Sequence, residues 1–312
     1  MEALILTEGG REIGLGHITR CIALYQAFRE RKIYTQLIIN ADKSVMGILK
    51  SVDCKLFDWL KKAEITHKIL ARADTVIIDS YLAGLDFYKK VSKISALPVY
   101  LDDFNRISYP RGLLINGSVY AERVNYKKKK GSVFLLGPKY LPMRKDFWGI
   151  RRKTIRKKIN TLLLTCGGLE HNDLLASLAE RLKRDLPYEF KVLSGENKID
   201  SEEMSKIMLS ADICISGGGQ TTYELARCAV PAIGICFADN QLLNLREWER
   251  IGVLKFAGWY NEKGLFNRIG RIINSLDFNE RSRMGRAGQR LIDGQGAKRV
   301  VDFIISKKWN TQ

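Results

Sequence analysis

No stretch of this chain approaches the ~20 consecutive apolar residues that a bilayer-spanning helix requires, so a helical integral membrane protein is excluded. The first segment lacks the basic flank and cleavage site of a secretory signal, since Met1-Glu2 runs straight into the strand-like Ala3-Leu-Ile-Leu-Thr7. Six cysteines (Cys21, Cys54, Cys166, Cys214, Cys228, Cys236) include no CxxC pair. Most fall in predicted strands or helices and read as reduced core thiols of a cytoplasmic protein. Three histidines among scattered cysteines offer no metal-ligand spacing, so neither a metal nor any other cofactor is expected. Acidic residues are scarce in one region. Between Arg123 and Lys158 stand 14 Lys or Arg residues and a single acid, Asp146. A net charge of +18 is thus concentrated locally. A solvated connection between domains accounts for such a segment. Peripheral contact of residues 123–158 with an anionic membrane ranks second. Nucleic acid ranks third, because no recognised nucleic-acid module accompanies the charge.

What is present is enough for two domains: 312 residues, 46% of them hydrophobic. Strand-like Leu4 to Thr7 precedes a helical pattern from His17 to Arg31. Strands follow at Thr35 to Asn40, Lys55 to Asp58, Thr75 to Ser80, Pro98 to Leu101 and Leu113 to Asn116. Helices are predicted from Ser44, over Trp59 to Arg72 and over Leu85 to Ile94. The alternation resumes with strands at Thr161 to Thr165, Glu189 to Ser194 and Ala211 to Ile215, and helices at Leu174 to Arg184 and Glu202 to Leu209. A further strand is expected over Pro231 to Ala238, and a glycine-interrupted helical pattern over Asn279 to Lys308. Such an order argues for an α/β fold with mainly parallel sheets. It divides into residues 1–145, a basic linker 146–160, and 161–312, whose final helix crosses back to the first domain. Ligands of such sheets sit beyond the carboxyl ends of the strands.

Two glycine-rich stretches occupy those ends. Gly217, Gly218 and Gly219, followed by Gln220, Thr221 and Glu224, join a short strand to a helix. Consecutive glycines let a ligand approach the backbone, and the helix start behind them favours a phosphate. Glu224 in the first turns could accept hydrogen bonds from a ribose diol. A plain glycine turn with a solvated glutamate is the alternative. The second stretch, Glu8 to His17, contains Gly14 and Gly16 and sets His17 at a helix N-terminus. The helix dipole disfavours an imidazolium there, which makes His17 a candidate general base. A surface histidine capping the helix is the competing reading. Asn240 and Gln241 arrive at the end of the strand starting at Pro231, at the same end of a sheet, as further ligand candidates. Asp79 and Tyr81 are candidates as well, against ordinary strand-end capping.

The run Ile13-Gly-Leu-Gly-His-Ile-Thr-Arg20 resembles the opening motif of PseG-type nucleotide-sugar hydrolases and of SpsG-like spore-coat proteins. The likeness continues through Asp79-Ser-Tyr81, Tyr100-Leu-Asp-Asp103, Leu136-Gly-Pro-Lys-Tyr140 with Arg144 and Phe147, Gly167-Gly168, the stretch from Ser216 to Glu224, and Asp239-Asn-Gln241. The second half is also similar to the nucleotide-binding half of MurG, a GT-B glycosyltransferase. The resemblance implies a GT-B-like protein, two Rossmann-like domains facing across a cleft that holds a UDP-sugar. It implies that His17 activates water and that Glu224 holds the uridine ribose. Where relatives carry an arginine late in the first strand and an aspartate just after it, this chain has Leu6 or Thr7, and Glu8. That departure bears on which sugar is taken. The activity so implied is metal-independent hydrolysis of a UDP-2,4-diacetamido-2,4,6-trideoxyhexose, with inversion, in nonulosonic-acid (pseudaminic acid) or surface-glycan biosynthesis. A GT-B glycosyltransferase and a non-catalytic nucleotide-sugar-binding protein are the alternatives.

Overall fold

A computed structural model describes residues 1–11, 13–49, 52–166, 172–193 and 201–307. The chain divides into two compact units, one made of Met1–Trp148 with Gly294–Gln312 and the other of Gly149–Asp293.

The first unit opens with β1 (Glu2–Gly9), α1 (Gly16–Glu30), β2 (Tyr34–Ala41), β3 (Lys55–Leu56) and α2 (Ala63–Leu70). It continues with β4 (Thr75–Asp79), α3 (Leu85–Ile94), β5 (Leu97–Leu101), β6 (Gly112–Asn116) and β7 (Ser132–Leu136). All seven strands pair in parallel, in the order β3-β2-β1-β4-β5-β6-β7. Side chains alternate across a strand. Ala3 and Ile5 of β1 therefore join α1 in one core, while Leu4 and Leu6 join Trp59, Val76 and Ile78 in another. Burial of both faces explains why the strands read as unbroken apolar runs.

The second unit contains β8 (Thr161–Thr165), α4 (Asn172–Asp185), β9 (Glu189–Leu193), α5 (Ser201–Ser210) and β10 (Ile213–Gly217). After these come α6 (Thr221–Arg227), β11 (Ala232–Cys236), α7 (Asp239–Ile251), β12 (Leu254–Trp259), α8 (Leu265–Ser275) and α9 (Phe278–Leu291). Its five strands are also parallel, ordered β12-β11-β10-β8-β9. The last helix, α10 (Gly296–Ser306), belongs to the first unit, where Val300, Val301 and Ile304 share a core with α1.

Each sheet has one place where the chain leaves a strand for opposite sides, which opens a crevice at the carboxyl ends. In the first unit it lies between β1 and β4, and in the second between β8 and β10.

Several expected elements differ. The segment from Ser44 is a short 3-10 turn, Lys43–Gly47, capped by Asp42, whose carboxylate accepts the Ser44 N–H at 2.7 Å. The helix expected from Trp59 starts at Ala63, because Trp59 is buried and donates its indole N–H to the Thr7 carbonyl at 2.8 Å. The pattern from Asn279 is two helices, separated at Gly294, whose φ of +78° suits glycine. Ser194 and Lys308, where two predicted elements ended, lie outside the described residues. All six cysteines are free thiols, and no helix among the described residues is long and apolar enough to cross a membrane.

Candidate active site

At the crevice of the first unit, the chain leaves β1 through a small closed loop. Gly10 and Gly14 exchange backbone hydrogen bonds, with Gly14 N–H donating to the Gly10 carbonyl at 2.8 Å and Gly10 N–H to the Gly14 carbonyl at 3.1 Å. Gly14 adopts φ +84°. Its amide is thus committed to the loop, so Gly14 shapes the turn rather than donating to a ligand. Gly16, exposed, begins α1, which has no side-chain cap at Leu15 and no acid in its first turn. The amides of Gly16, His17 and Ile18 therefore stand where a helix leaves its N–H groups without intrahelical partners.

His17 is only 5% exposed, which removes the surface-cap reading. Its Nδ1 lies 2.5 Å from Oδ1 of Asp79, the last residue of β4. Asp79 is fully buried and engaged on both oxygens. Arg20, one turn beyond His17, donates Nε to Oδ2 at 2.5 Å and Nη2 to Oδ1 at 2.7 Å. Burial alone would raise the Asp79 pKa, but the Arg20 guanidinium and His17 outweigh it and hold the carboxyl well below the usual carboxylate range. An ionised Asp79 can only accept, so the neutral form of His17 carries its proton on Nδ1 and leaves its lone pair on Nε2. Asp79 is therefore a partner of the histidine, with no oxygen left over for a sugar.

The same guanidinium extends the network. Arg20 Nη1 donates to Asp103 Oδ1 at 2.6 Å, and the Tyr81 hydroxyl donates to Asp103 Oδ2 at 2.8 Å. Burial, reinforced by Asp103, raises the Tyr81 pKa far above its ordinary value, so the hydroxyl remains a donor. The Tyr81 ring stands edge-on to His17, with centroids 4.2 Å apart. Glu8, fully buried at the end of β1, accepts the Ser80 hydroxyl at 2.5 Å and the N–H groups of Tyr81 and Leu82 at 2.6 and 2.9 Å. Glu8 thus faces the protein and ties down the loop that carries Tyr81.

In the second unit, the glycine stretch leaves β10 under tight packing. A Cβ on Gly217 would lie 3.0 Å from the Cys166 carbonyl, and one on Gly218 would lie 2.7 Å from Leu245. Gly219, by contrast, is exposed, with nothing within 4 Å of a Cβ. Three side chains of α7 clamp the loop. Gln241 Oε1 accepts the Gly218 N–H at 3.0 Å, Asn244 Nδ2 donates to the Gly218 carbonyl at 2.8 Å, and Trp248 Nε1 donates to Thr222 Oγ1 at 3.0 Å. Gln220 precedes α6 without a side-chain cap, Thr221 begins it, and Glu224 lies buried in its first turn, 5% exposed.

The first unit therefore brings together Gly16, His17, Asp79 and Tyr81, and the second gathers Gly217 to Thr221 with Gln241. Asn240 and Gln241 occupy the first turn of α7, not a strand end, because the chain turns at Ala238 two residues after β11. Asn240 is exposed. Gly167-Gly168 lie outside the described residues. Sequence reasoning gave no role to Arg20, Asp103, Asn244 or Trp248. A signal existed for Arg20, since a residue three places after His17 shares its helix face.

No protein-family model matches the chain. It is 24% identical over 269 residues to an uncharacterized protein of Methanocaldococcus jannaschii, covering 75% of this chain and 55% of that one. It is 26% identical over 255 residues to the pseudaminic acid cytidylyltransferase and UDP-2,4-diacetamido-2,4,6-trideoxy-beta-L-altropyranose hydrolase of Helicobacter pylori, covering 78% of this chain and 46% of that one. The chain thus spans about half the length of these two relatives. The spore coat polysaccharide biosynthesis protein SpsG of Bacillus subtilis is 21% identical over 97% of this chain and 98% of its own. Among solved structures, the Streptomyces glycosyltransferase SsfS6 with thymidine diphosphate superposes with a TM-score of 0.65 at 14% identity, over 97% of this chain and 99% of its own. Acinetobacter baumannii MurG gives 0.62 at 13% identity, over 98% and 100%. The chain is similar in sequence to PseG- and SpsG-type proteins, and its fold is that of GT-B glycosyltransferases.

Proposed function

We propose that this chain is an enzyme acting on a nucleotide sugar, and that it hydrolyses a UDP-2,4-diacetamido-2,4,6-trideoxyhexose to UDP and free sugar. The observation that carries the proposal is the His17–Asp79 pair, which leaves Nε2 of a buried imidazole with its lone pair at the carboxyl ends of β1 and β4. The named activity of the Helicobacter relative supplies the substrate class.

In this reading, Nε2 takes a proton from water as the water oxygen attacks the anomeric carbon. The anomeric C–O bond breaks, its electron pair leaves with UDP, and attack opposite the leaving group inverts the centre. Asp79 stays ionised throughout and stabilises the imidazolium that forms, as the buried aspartate does in hydrolase triads. The amides at the start of α1 offset charge on the departing diphosphate. In the second unit Gly219, Gln220, Thr221 and Glu224 would hold the nucleotide, and in the first Tyr81 would meet the sugar.

A transferase reading draws on the structural neighbours, which are glycosyltransferases. The same base would then deprotonate an acceptor hydroxyl in place of water. Incubation with the UDP-sugar and no acceptor separates the two readings. Hydrolysis predicts UDP release that His17→Ala lowers by about 10²–10⁴-fold. An enzyme silent until an acceptor is added would instead be a transferase.

A further inference from the structure

The basic segment contributes to a second concave site, wholly within the second unit. A cavity of about 400 Å³ is lined by Arg152, Lys153, Arg227, Arg286 and Arg290, with Gln289, two isoleucines and an alanine completing the wall. Five cations and no carboxylate line it.

Its construction follows from two glycines. On α9, a Cβ at Gly285 would lie 2.8 Å from the Ala229 carbonyl, and one at Gly288 would lie 3.0 Å from Ala226 Cα. Only glycine allows α9 to come this close to the end of α6. The approach carries Arg286 and Arg290, four residues apart on one helix face, against the segment 150–155. Gln289 secures that segment, donating Nε2 to the Arg151 carbonyl at 2.9 Å and to the Arg227 carbonyl at 3.2 Å.

Three of those five charges are not balanced locally. On the same helix, Arg283 pairs with Glu280 at 2.7 Å, whereas Arg286, Arg290 and Arg152 have no carboxylate partner among the described residues. Two acids lie nearby. Asp293 faces Arg227, and Asp212 faces Lys153 but is already bound to Arg156 and to the N–H groups of Asn160 and Thr161. Burial lowers the Lys153 pKa to about 8, and Asp212 offsets it only in part. Arg227 and Lys153 are already engaged, donating Nη2 to the Ile150 carbonyl at 2.6 Å and Nζ to the Ala211 carbonyl. The three exposed guanidinium forks of Arg152, Arg286 and Arg290 around one concavity match the oxygens of clustered phosphates better than a single carboxylate.

We propose that this cavity binds a soluble oligophosphate, at a site separate from the Gly217–Gly219 loop. That loop lies at the other end of α6, about 10 Å along a seven-residue helix. The site does not depend on the proposed chemistry at His17.

Calorimetric titration with tripolyphosphate at about 0.15 M salt, with and without UDP, tests the proposal. The expected result is saturable binding that UDP does not displace. Arg286→Gln with Arg290→Gln, both exposed positions, should weaken it roughly tenfold or more. Lys127→Gln with Lys128→Gln removes the same charge from an exposed turn and should change it less than about twofold. Equal weakening by the two double variants would mean an adventitious ion in the general field of a basic protein, and would overturn the site. So would displacement by UDP or absence of saturable binding. Binding to phosphatidylserine vesicles that needs Arg286 and Arg290, without tripolyphosphate binding, would overturn it in favour of a membrane contact.

Discussion

The Glu8 carboxylate accepts the backbone N–H of Tyr81 at 2.6 Å across 73 residues of sequence, joining the end of β1 to the loop after β4. The position of Tyr81 beside His17 therefore depends on an acid that makes no use of its charge toward solvent.

Removing that acid strands buried donors. Glu8→Ala is expected to destabilise the protein by about 1–3 kcal/mol, and Glu8→Gln by less, because the amide oxygen still accepts from Tyr81 and Leu82. Denaturant unfolding of the three proteins measures this. Equal stability of Glu8→Ala and the parent would show that the loop is held by other contacts.

Asp79→Asn keeps the shape beside His17 but removes the anion that sets its tautomer and balances Arg20. Turnover should fall by about 10²–10⁴-fold while KM changes little, since the loss falls on the transition state. Steady-state kinetics on the UDP-sugar read both constants. Parental kcat in this variant would remove Asp79 from the account.

Acid should weaken the first unit. Burial raises the pKa values of Asp79 and Asp103, yet Arg20 outweighs it and holds both carboxyls below the ordinary range. Depressed folded pKa values contribute stability that is present above the unfolded value of ~3.9 and lost as pH falls below it. The melting temperature should therefore drop as pH falls from about 4 toward about 2, and Asp103→Asn should flatten the drop. An unchanged pH profile in that variant would contradict the assigned ionisation.

Much of this arrangement was legible beforehand. The apolar runs of β1, β4 and β10 and the glycines after β1 and β10 marked the sheets and their carboxyl ends, because burial on both faces and close turns leave local signals. His17 stood out by its place at the start of a helix after a glycine-rich loop, while its burial, which separates it from a surface cap, could be read only from the fold. Its partner was not legible. Asp79 lies 62 residues away, and only the β1–β4 pairing, which follows from strand order, brings the two together. The clamp on Gly218 was hidden likewise, since Gln241, Asn244 and Trp248 belong to a helix whose apolar pattern is interrupted by these polar contacts. Strand β12 escaped notice because Lys255 and Gly258 break its alternation.

The central claim is that water, activated by His17, attacks carbon and expels UDP whole. The direct measurement is turnover of a UDP-2,4-diacetamido-2,4,6-trideoxyhexose in ¹⁸O-labelled water, with both products analysed by mass spectrometry. The account predicts label at the anomeric oxygen of the free sugar, none in UDP, and the same result in the presence of chelator. Label on phosphate, or release of UMP and sugar phosphate, would place the attack at phosphorus and contradict it.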